Sequence, residues 1–466
     1  MNDKLLKLRS VLKTMPLNDN QINNILGIID TQNKEINDTI APLLEEYYSY
    51  GIERDYTNSS PNCIRIGNLD LHRSLPIQSK MRGCLLDDDG NVIEYLPEND
   101  WTTATRDGSK GQVMVEIPMH YRKFEAKGTK HIVRLSEYPL SGYHQVPKMY
   151  VSAYEASIER SSDKLCSVVN YNVNYRGGNN NAEWDETYRS LLGRPVTTMN
   201  IRMFRLAARR RNTSNTSWNC YLYNVHKALF WLYSVEYANF NSQLSYTSEL
   251  TSNGFRQGGL GLAVSNLLNS NWINFNNKNP FVPCGYTDIL GNNTGIVKYT
   301  IYDKDGSELN SSNVPRYRGV ENPFGHIWKF IDGCKCLIQS ETSGGLSEFY
   351  VCDEPANIIT SGITNYQLRG VLSRTDGYIS ELIMGKNCDI MPTKVINGNS
   401  NIYFCDYLYS NNIPKNGVSE SVVLLGGAAS YTTAVGFTCI NINFTYNDSS
   451  RNYGSRLCFI PQQNKN

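Results

Sequence analysis

Charge is scarce in this sequence and nearly balanced: 19% of its 466 residues are charged and the formal net charge is +1. That removes the electrostatic case for nucleic acid or an anionic membrane surface as a main partner. No apolar run approaches the roughly 18 residues of a membrane span. The opening MNDKLLKLRSVLKTM lacks a basic segment followed by an uninterrupted apolar one, so neither a secretory signal nor membrane insertion is expected. The twelve cysteines are scattered, with no CxxC pair and no Cys/His grouping. They read as free, buried thiols of a reducing compartment, not as a zinc site or a disulfide framework. HExxH, GxSxG and Walker motifs are missing, and no two of the six histidines stand four apart on a helix. Zinc hydrolase, α/β-hydrolase and P-loop chemistry therefore have no support. Asp185, Glu186, Glu236, Asp332 and Asp353 could supply a glycosidase pair, but such pairs form in space and no spacing selects one. No catalytic residue, metal ligand or cofactor is assigned, and no enzymatic activity is expected.

What is abundant is tyrosine and glycine, 31 and 35 residues. With so little charge, this profile suits a β-rich, turn-rich protein with polar-aromatic surfaces. The start of the chain is helical: Leu5, Leu8, Val11, Leu12 and Met15 lie close to one helical face, and PLNDN then breaks the pattern. Asn18 or Asp19 can cap a second helix. In it Ile22, Leu26, Ile29, Asn33, Ile36, Ile40, Leu43 and Tyr47 alternate four- and three-residue steps, the seam of a coiled coil. Self-association follows, as dimer or trimer: isoleucine at both seam positions favours three strands, while a single buried asparagine favours two.

Farther on, CLLDDDGNVIEYL predicts a hairpin turning at Asp89-Gly90, and GQVMVEIPMHYRKFEAKGTKHIVRL another turning at Lys127-Gly128. LDDDG (Leu86 to Gly90) and YDKDG (Tyr302 to Gly306) lack the later ligands of a calcium loop and read as turns. Two central helices are expected. One is capped by Asn200, with Met203, Phe204, Ala207 and Ala208 on one side. The other carries a stripe of Leu222, Val225, Leu229, Leu232, Tyr233 and Glu236. The Arg209–Arg211 run reads as a helix end, where cations offset the dipole. QGGLGLAVSN (Gln257 to Asn266) reads as a loop, and no further long helix is expected after Gln243.

Four stretches occur in order: GQVMVEIPMHYRKF, YPLSGYHQVPKMYVSAYEASI, KALFWLYSVEYANFNSQ and YRGVENPFGHIWKFIDG. Together they resemble the C-type-lectin-fold module of phage fibre and receptor-binding proteins, in particular virion proteins of tailed phages of gut Bacteroidales, including the crAss-like group. The closing Gly426-Gly427, Val435-Gly436-Phe437 and Gly454-Ser455-Arg456-Leu457 are similar to the last strands of that fold, both in its formylglycine-generating-enzyme-like branch and in variable tropism proteins of diversity-generating retroelements. The resemblance covers roughly residues 111 to 461. Where the family often reads GGSW this chain reads GGAAS, so a tryptophan sugar platform is missing there, and the enzyme branch's cysteine pair and metal positions are unmatched.

The helical seam, the hairpin patterns and the resemblance together give the expectation of an α+β chain in three parts. Residues 1–55 form a helical, coiled-coil anchor and oligomerisation segment, 56–150 a β-rich domain, and 151–466 a C-type-lectin-like domain. In that fold the last strands display side chains outward, here Ser430, Tyr431, Thr432, Thr438, Asn441, Asn443, Thr445, Tyr446 and Asn447. Val435, Phe437, Ile440 and Ile442 then face inward. Tyr, Ser and Asn are the residue types of an adaptable binding surface. The expected function is a structural virion fibre protein, with head fibre favoured over tail fibre. It would contact other virion proteins of capsid or tail through its N-terminus and a host-surface glycan or protein through its lectin-like domain. A purely structural virion joint is the alternative. A polysaccharide depolymerase is a more distant one, because no repeat of about 20 to 30 residues is visible.

Overall fold

Asn18 opens the long helix α1 (Asp19–Tyr48): its Oδ1 accepts the Gln21 N–H at 2.9 Å, and Gln21 Oε1 accepts the Asn18 N–H at 3.0 Å. This reciprocal pair satisfies two donors that a helix start leaves free. The structure is a computed structural model that describes residues 12–13, 18–172, 175–176, 193–267, 281–302 and 307–462, without the side chains of 33, 35–39, 175–176 and 309. Leu5, Leu8, Val11, Met15, the turn at 303–306, Asp185 and Glu186 lie outside these residues.

The coiled-coil seam divides along α1. Ile22 and Leu26 are buried against Leu12 of the same chain, and Ile29 is half-buried. Asn33 and Ile36 fall outside the described side chains, while Ile40, Leu43 and Tyr47 are 45%, 67% and 65% exposed. The first two seam residues therefore already have an intramolecular partner, which is a correction to reading the whole stripe as a surface for another copy. The last turn of α1 is tied to the body by Lys123 to Glu45 (2.9 Å), Asn68 Nδ2 to the Tyr47 carbonyl (2.8 Å) and Ser136 Oγ to the Tyr48 carbonyl (2.8 Å).

The rest is mixed and β-rich, with five sheets among the described residues. The first runs β2 (Ile64–Gly67), β1 (Ser49–Asp55), β7 (Lys130–Ser136), β6 (His120–Lys127) and β8 (His144–Val146). The second runs β13 (Trp218–Cys220), β26 (Leu457–Phe459), β9 (Met149–Ser152), β5 (Gln112–Ile117), β3 (Arg82–Leu86) and β4 (Val92–Tyr95). Two small sheets follow: β11 (Lys164–Cys166) with β10 (Ser157–Glu159) and β12 (Tyr175–Arg176), then β14 (Gly295–Tyr302) with β15 (Glu308–Tyr317) and β16 (Val320–Glu321). The nine-stranded sheet has the order β19 (Gln367–Val371), β18 (Ser347–Val351), β17 (Trp328–Gln339), β23 (Val418–Leu425), β24 (Ile440–Phe444), β22 (Tyr407–Tyr409), β20 (Gly377–Met384) and β21 (Asp389–Ile396), with β25 (Tyr453–Gly454) beside β17. Both expected hairpins form, and their turn glycines Gly90 and Gly128 have φ of 88° and 61°, conformations open to glycine at little cost.

The expected boundaries cut through these sheets. Residues 49–55 are a strand paired on both sides, and 150/151 falls inside β9, which joins β5 to the chain's last strand. Between the sheets lie the short helix α2 (Leu69–Ser74) and two central helices, α3 (Ile201–Arg209) and α4 (Tyr223–Tyr237). Asn200 caps α3 by accepting the Met203 N–H at 3.0 Å; Ile201, Phe204, Ala207 and Ala208 are buried, whereas Met203 is 48% exposed and not on the core side. In α4 every residue except Asn224 is buried, so the expected stripe is a helix enclosed on all sides. It packs on one face of the nine-stranded sheet, with Ile331, Val423, Leu425, Ile440 and Ile442 in its cluster. Trp328, Phe330, Leu424 and α3 form a second core on the other face. All twelve cysteines are free thiols, eleven of them buried.

Candidate functional site

The sheet's inner strands are covered on both faces, so the surface available for contact lies where β20, β22 and β24 meet the segment Ala429–Ala434. Tyr407 and Tyr409 flank the buried Leu408 on β22 and share one side of it, as period-two alternation dictates. Tyr378 of β20 meets Tyr407 edge-on at 5.2 Å, Tyr407 lies 4.7 Å from Tyr409, and Tyr409 lies 5.3 Å from Tyr431. Beneath them Trp328, 1% exposed, contacts Tyr409 at 6.0 Å and Tyr431 at 5.5 Å. The four tyrosines are half-buried, a contiguous strip whose rings are fixed from below and partly open above. Burial raises the phenol pKa of all four, so each keeps its proton and remains a donor.

An amide network borders the strip. Asn412 donates its backbone N–H to Asn443 Oδ1 (3.0 Å) and its Nδ2 to the Asn443 carbonyl (2.8 Å). Asn443 Nδ2 donates to Asn411 Oδ1 (3.2 Å), and Asn411 Nδ2 to Asp376 (2.9 Å). These bonds hold the exposed Asn411 and Asn412 against the end of β24. Asp406 ties the two parallel strands β22 and β24 from within: its Oδ2 accepts the N–H of Thr438 at 2.7 Å and its hydroxyl at 2.8 Å. Burial pushes the Asp406 carboxyl up from 3.8 to about 7, against the Thr438 hydrogen bonds, which favour its charged form.

The display residues expected from the sequence are therefore distributed unevenly. Ser430, Tyr431 and Asn443 are half-buried and belong to this face, and Thr432 is exposed beside Tyr431. Thr432 has φ 50° and ψ −122°, a strained conformation for a β-branched residue. Thr438 and Asn441 are 0% and 5% exposed and do not face outward. Thr438 is held inward by the buried Asp406, and Asn441 Oδ1 turns back along β24 to accept the Asn443 N–H at 2.9 Å, so neither side chain is displayed. Thr445, Tyr446 and Asn447 follow the C-terminal end of β24: Thr445 closes a turn on Asp448, Tyr446 rests on the second core, and of the three only Asn447 is exposed. Tyr378, Tyr407 and Tyr409 lie outside the expected display segment; the Tyr-Leu-Tyr alternation at 407–409 is the sequence signal that marks them.

The described carboxylates of the glycosidase reading are each held by an arginine: Glu236 by Arg318 (2.7 and 2.8 Å), Asp332 by Arg205 (2.7 Å twice) and Asp353 by Arg369. Among the described residues no group of three His, Cys, Asp or Glu side chains is placed to hold a metal ion, and no helix is long and apolar enough to cross a membrane.

No family model matches the chain, and no curated protein matches it. Among solved structures, the chain aligns with the Major Tropism Determinant U1 variant and with its I1 variant. Each alignment has 12% identity over 73% of this chain and 72% of that one, with a TM-score of 0.20. At that score the alignments do not define a shared fold.

Proposed function

We propose that this chain is a fibre-type protein of a tailed-phage virion that binds the host surface and does not act as an enzyme. The observation that carries the reading is the strip Tyr378–Tyr407–Tyr409–Tyr431 on its Trp328 base, bordered by Asn411, Asn412 and Asn443. Pre-fixed amphipathic rings beside adaptable amides bind with little ordering cost. The ordered motifs that resemble C-type-lectin-fold phage proteins support the same reading. α1, tied to the body near its C-terminal end and exposing Ile40, Leu43 and Tyr47, suits the attachment and oligomerisation role. A head fibre is favoured over a tail fibre, because a compact helical anchor such as α1 suits capsid decoration. The ligand is a host-surface glycan or protein, and several copies per particle multiply a weak single contact.

The test is competition of phage adsorption by the purified chain. Tyr407→Ala with Tyr431→Ala is expected to leave folding and oligomeric state intact and to weaken competition about tenfold or more, as loss of central aromatic contacts does. Undiminished competition would remove the face from the reading. Cryo-electron microscopy of the particle with this face enclosed by other virion proteins would instead make the chain a structural joint.

A further inference from the structure

A cleft of about 290 Å³ lies away from the tyrosine strip, where the first sheet meets the nine-stranded sheet at the start of α4. One wall is apolar, formed by Val146, Met149, Leu222 and Ile460. Its carboxylates are already occupied. Asp332 is held twice by Arg205 at 2.7 Å, and Asp353 is held by Arg369 and by Asn224 Nδ2 at 3.1 Å. Lys227, buried in the cleft wall, is taken by Asp389 at 2.8 Å.

Two cations are left over. Arg122 on β6 is 8% exposed; its Nη2 donates to the Asn387 carbonyl at 3.3 Å, its guanidinium also meets the neutral Cys388 thiol, and its Nη1 finds no oxygen acceptor. Lys386, in the turn between β20 and β21, is exposed. Neither has a carboxylate partner among the described residues. A guanidinium nine-tenths buried without a counter-ion is costly unless a ligand supplies the charge. The same cleft receives the first turn of α4, whose N-cap, Leu222, brings no side-chain oxygen to the helix N–H groups. That end of a helix favours an anion. The volume suits a ligand of monosaccharide size, and the Asn387 amide with the amide oxygens of Asn224 and Gln145, whose nitrogens are engaged by Asp353 and Met119, can meet hydroxyl groups.

We propose that this cleft binds an acidic sugar residue, its carboxylate directed to Arg122 and Lys386 and its apolar ring face against Val146 and Leu222. The site is separate from the tyrosine strip and does not rest on it.

The experiment is saturation-transfer NMR on the full chain with methyl glucuronoside, methyl glucoside and benzoate as probes. Binding of the glucuronoside with an affinity at least about tenfold above the other two is expected. Lys386→Glu, at an exposed position, should weaken it about tenfold, whereas Tyr407→Ala with Tyr431→Ala should leave it unchanged. Arg122→Gln should also abolish binding, and Lys386→Glu keeps the test valid if that variant does not fold. Equal binding of the neutral glucoside would overturn the role of charge, and equal binding of benzoate would overturn the sugar assignment. Absence of glucuronoside binding, or binding indifferent to Lys386→Glu, would overturn the site.

Discussion

Asp406 offers the sharpest test of how the tyrosine face is held. Its carboxyl is 2% exposed and is pushed from 3.8 to about 7 by burial. Between those values the unfolded chain releases a proton that the folded chain keeps, so raising the pH favours unfolding. The stability contribution is complete below about pH 4 and lost once the pH passes about 7. A rise from 3.8 to about 7, at about 1.4 kcal/mol per unit, sets a ceiling of about 4 kcal/mol. Asp406→Asn keeps the shape and an oxygen for the two Thr438 donors but cannot ionise. Against wild type it should be equal in stability near pH 4 and more stable by up to about 4 kcal/mol at pH 8. Urea midpoints of both proteins in steps across that range measure the difference. Other titrating groups, such as Glu321, whose pKa is also raised to about 7, cancel in the comparison. A difference that stays flat with pH, or a wild type that gains on the variant as pH rises, would show that Asp406 is charged in the fold and that the account of the β22–β24 tie is wrong.

Two further outcomes are expected. Ile40→Asp with Leu43→Asp alters side chains that are 45% and 67% exposed, so the single-chain fold should survive while self-association along α1 is lost; an unchanged oligomeric mass in analytical ultracentrifugation would place the contact elsewhere. Gly436→Ala puts a methyl group 2.1 Å from Asp406 Oδ1 and 2.6 Å from Ser242 Oγ. It should destabilise by about 2 kcal/mol or more, as overpacking does, and weaken competition for adsorption; an unaltered melting temperature would contradict the tight packing there.

Much of the local structure was legible in the sequence because its causes are local. The Asn18 and Asn200 caps, the Asp89-Gly90 and Lys127-Gly128 turns and the absence of a long helix after Gln243 among the described residues all follow from neighbours within a few positions. Tyr431 and Asn443 were also reached, because polar-aromatic composition marked the C-terminal segment as a surface. Thr438 and Asn441 were misplaced, because alternation shows that a strand has two sides and not what covers each of them.

What tertiary structure alone decided depends on residues distant in the chain. Tyr378, Tyr407, Tyr409 and Tyr431 become one strip only because β24 pairs antiparallel with β23 and parallel with β22, and Trp328 enters beneath from β17. The leftover charge of Arg122 becomes visible only when Asp332, Asp353 and Asp389 are seen to be taken by other cations. Strand pairing crosses both expected boundaries: β1, before 55/56, bonds to β2 and β7 after it, and β9, which spans 150/151, bonds to β5 and to β26 near the end of the chain. The sequence alone determined the helix caps, the turns and the composition of the surface, each through forces acting within a few residues. The binding face, the cleft and the joining of the sheets were set by long-range pairing and burial, which bring together groups that no spacing along the chain connects.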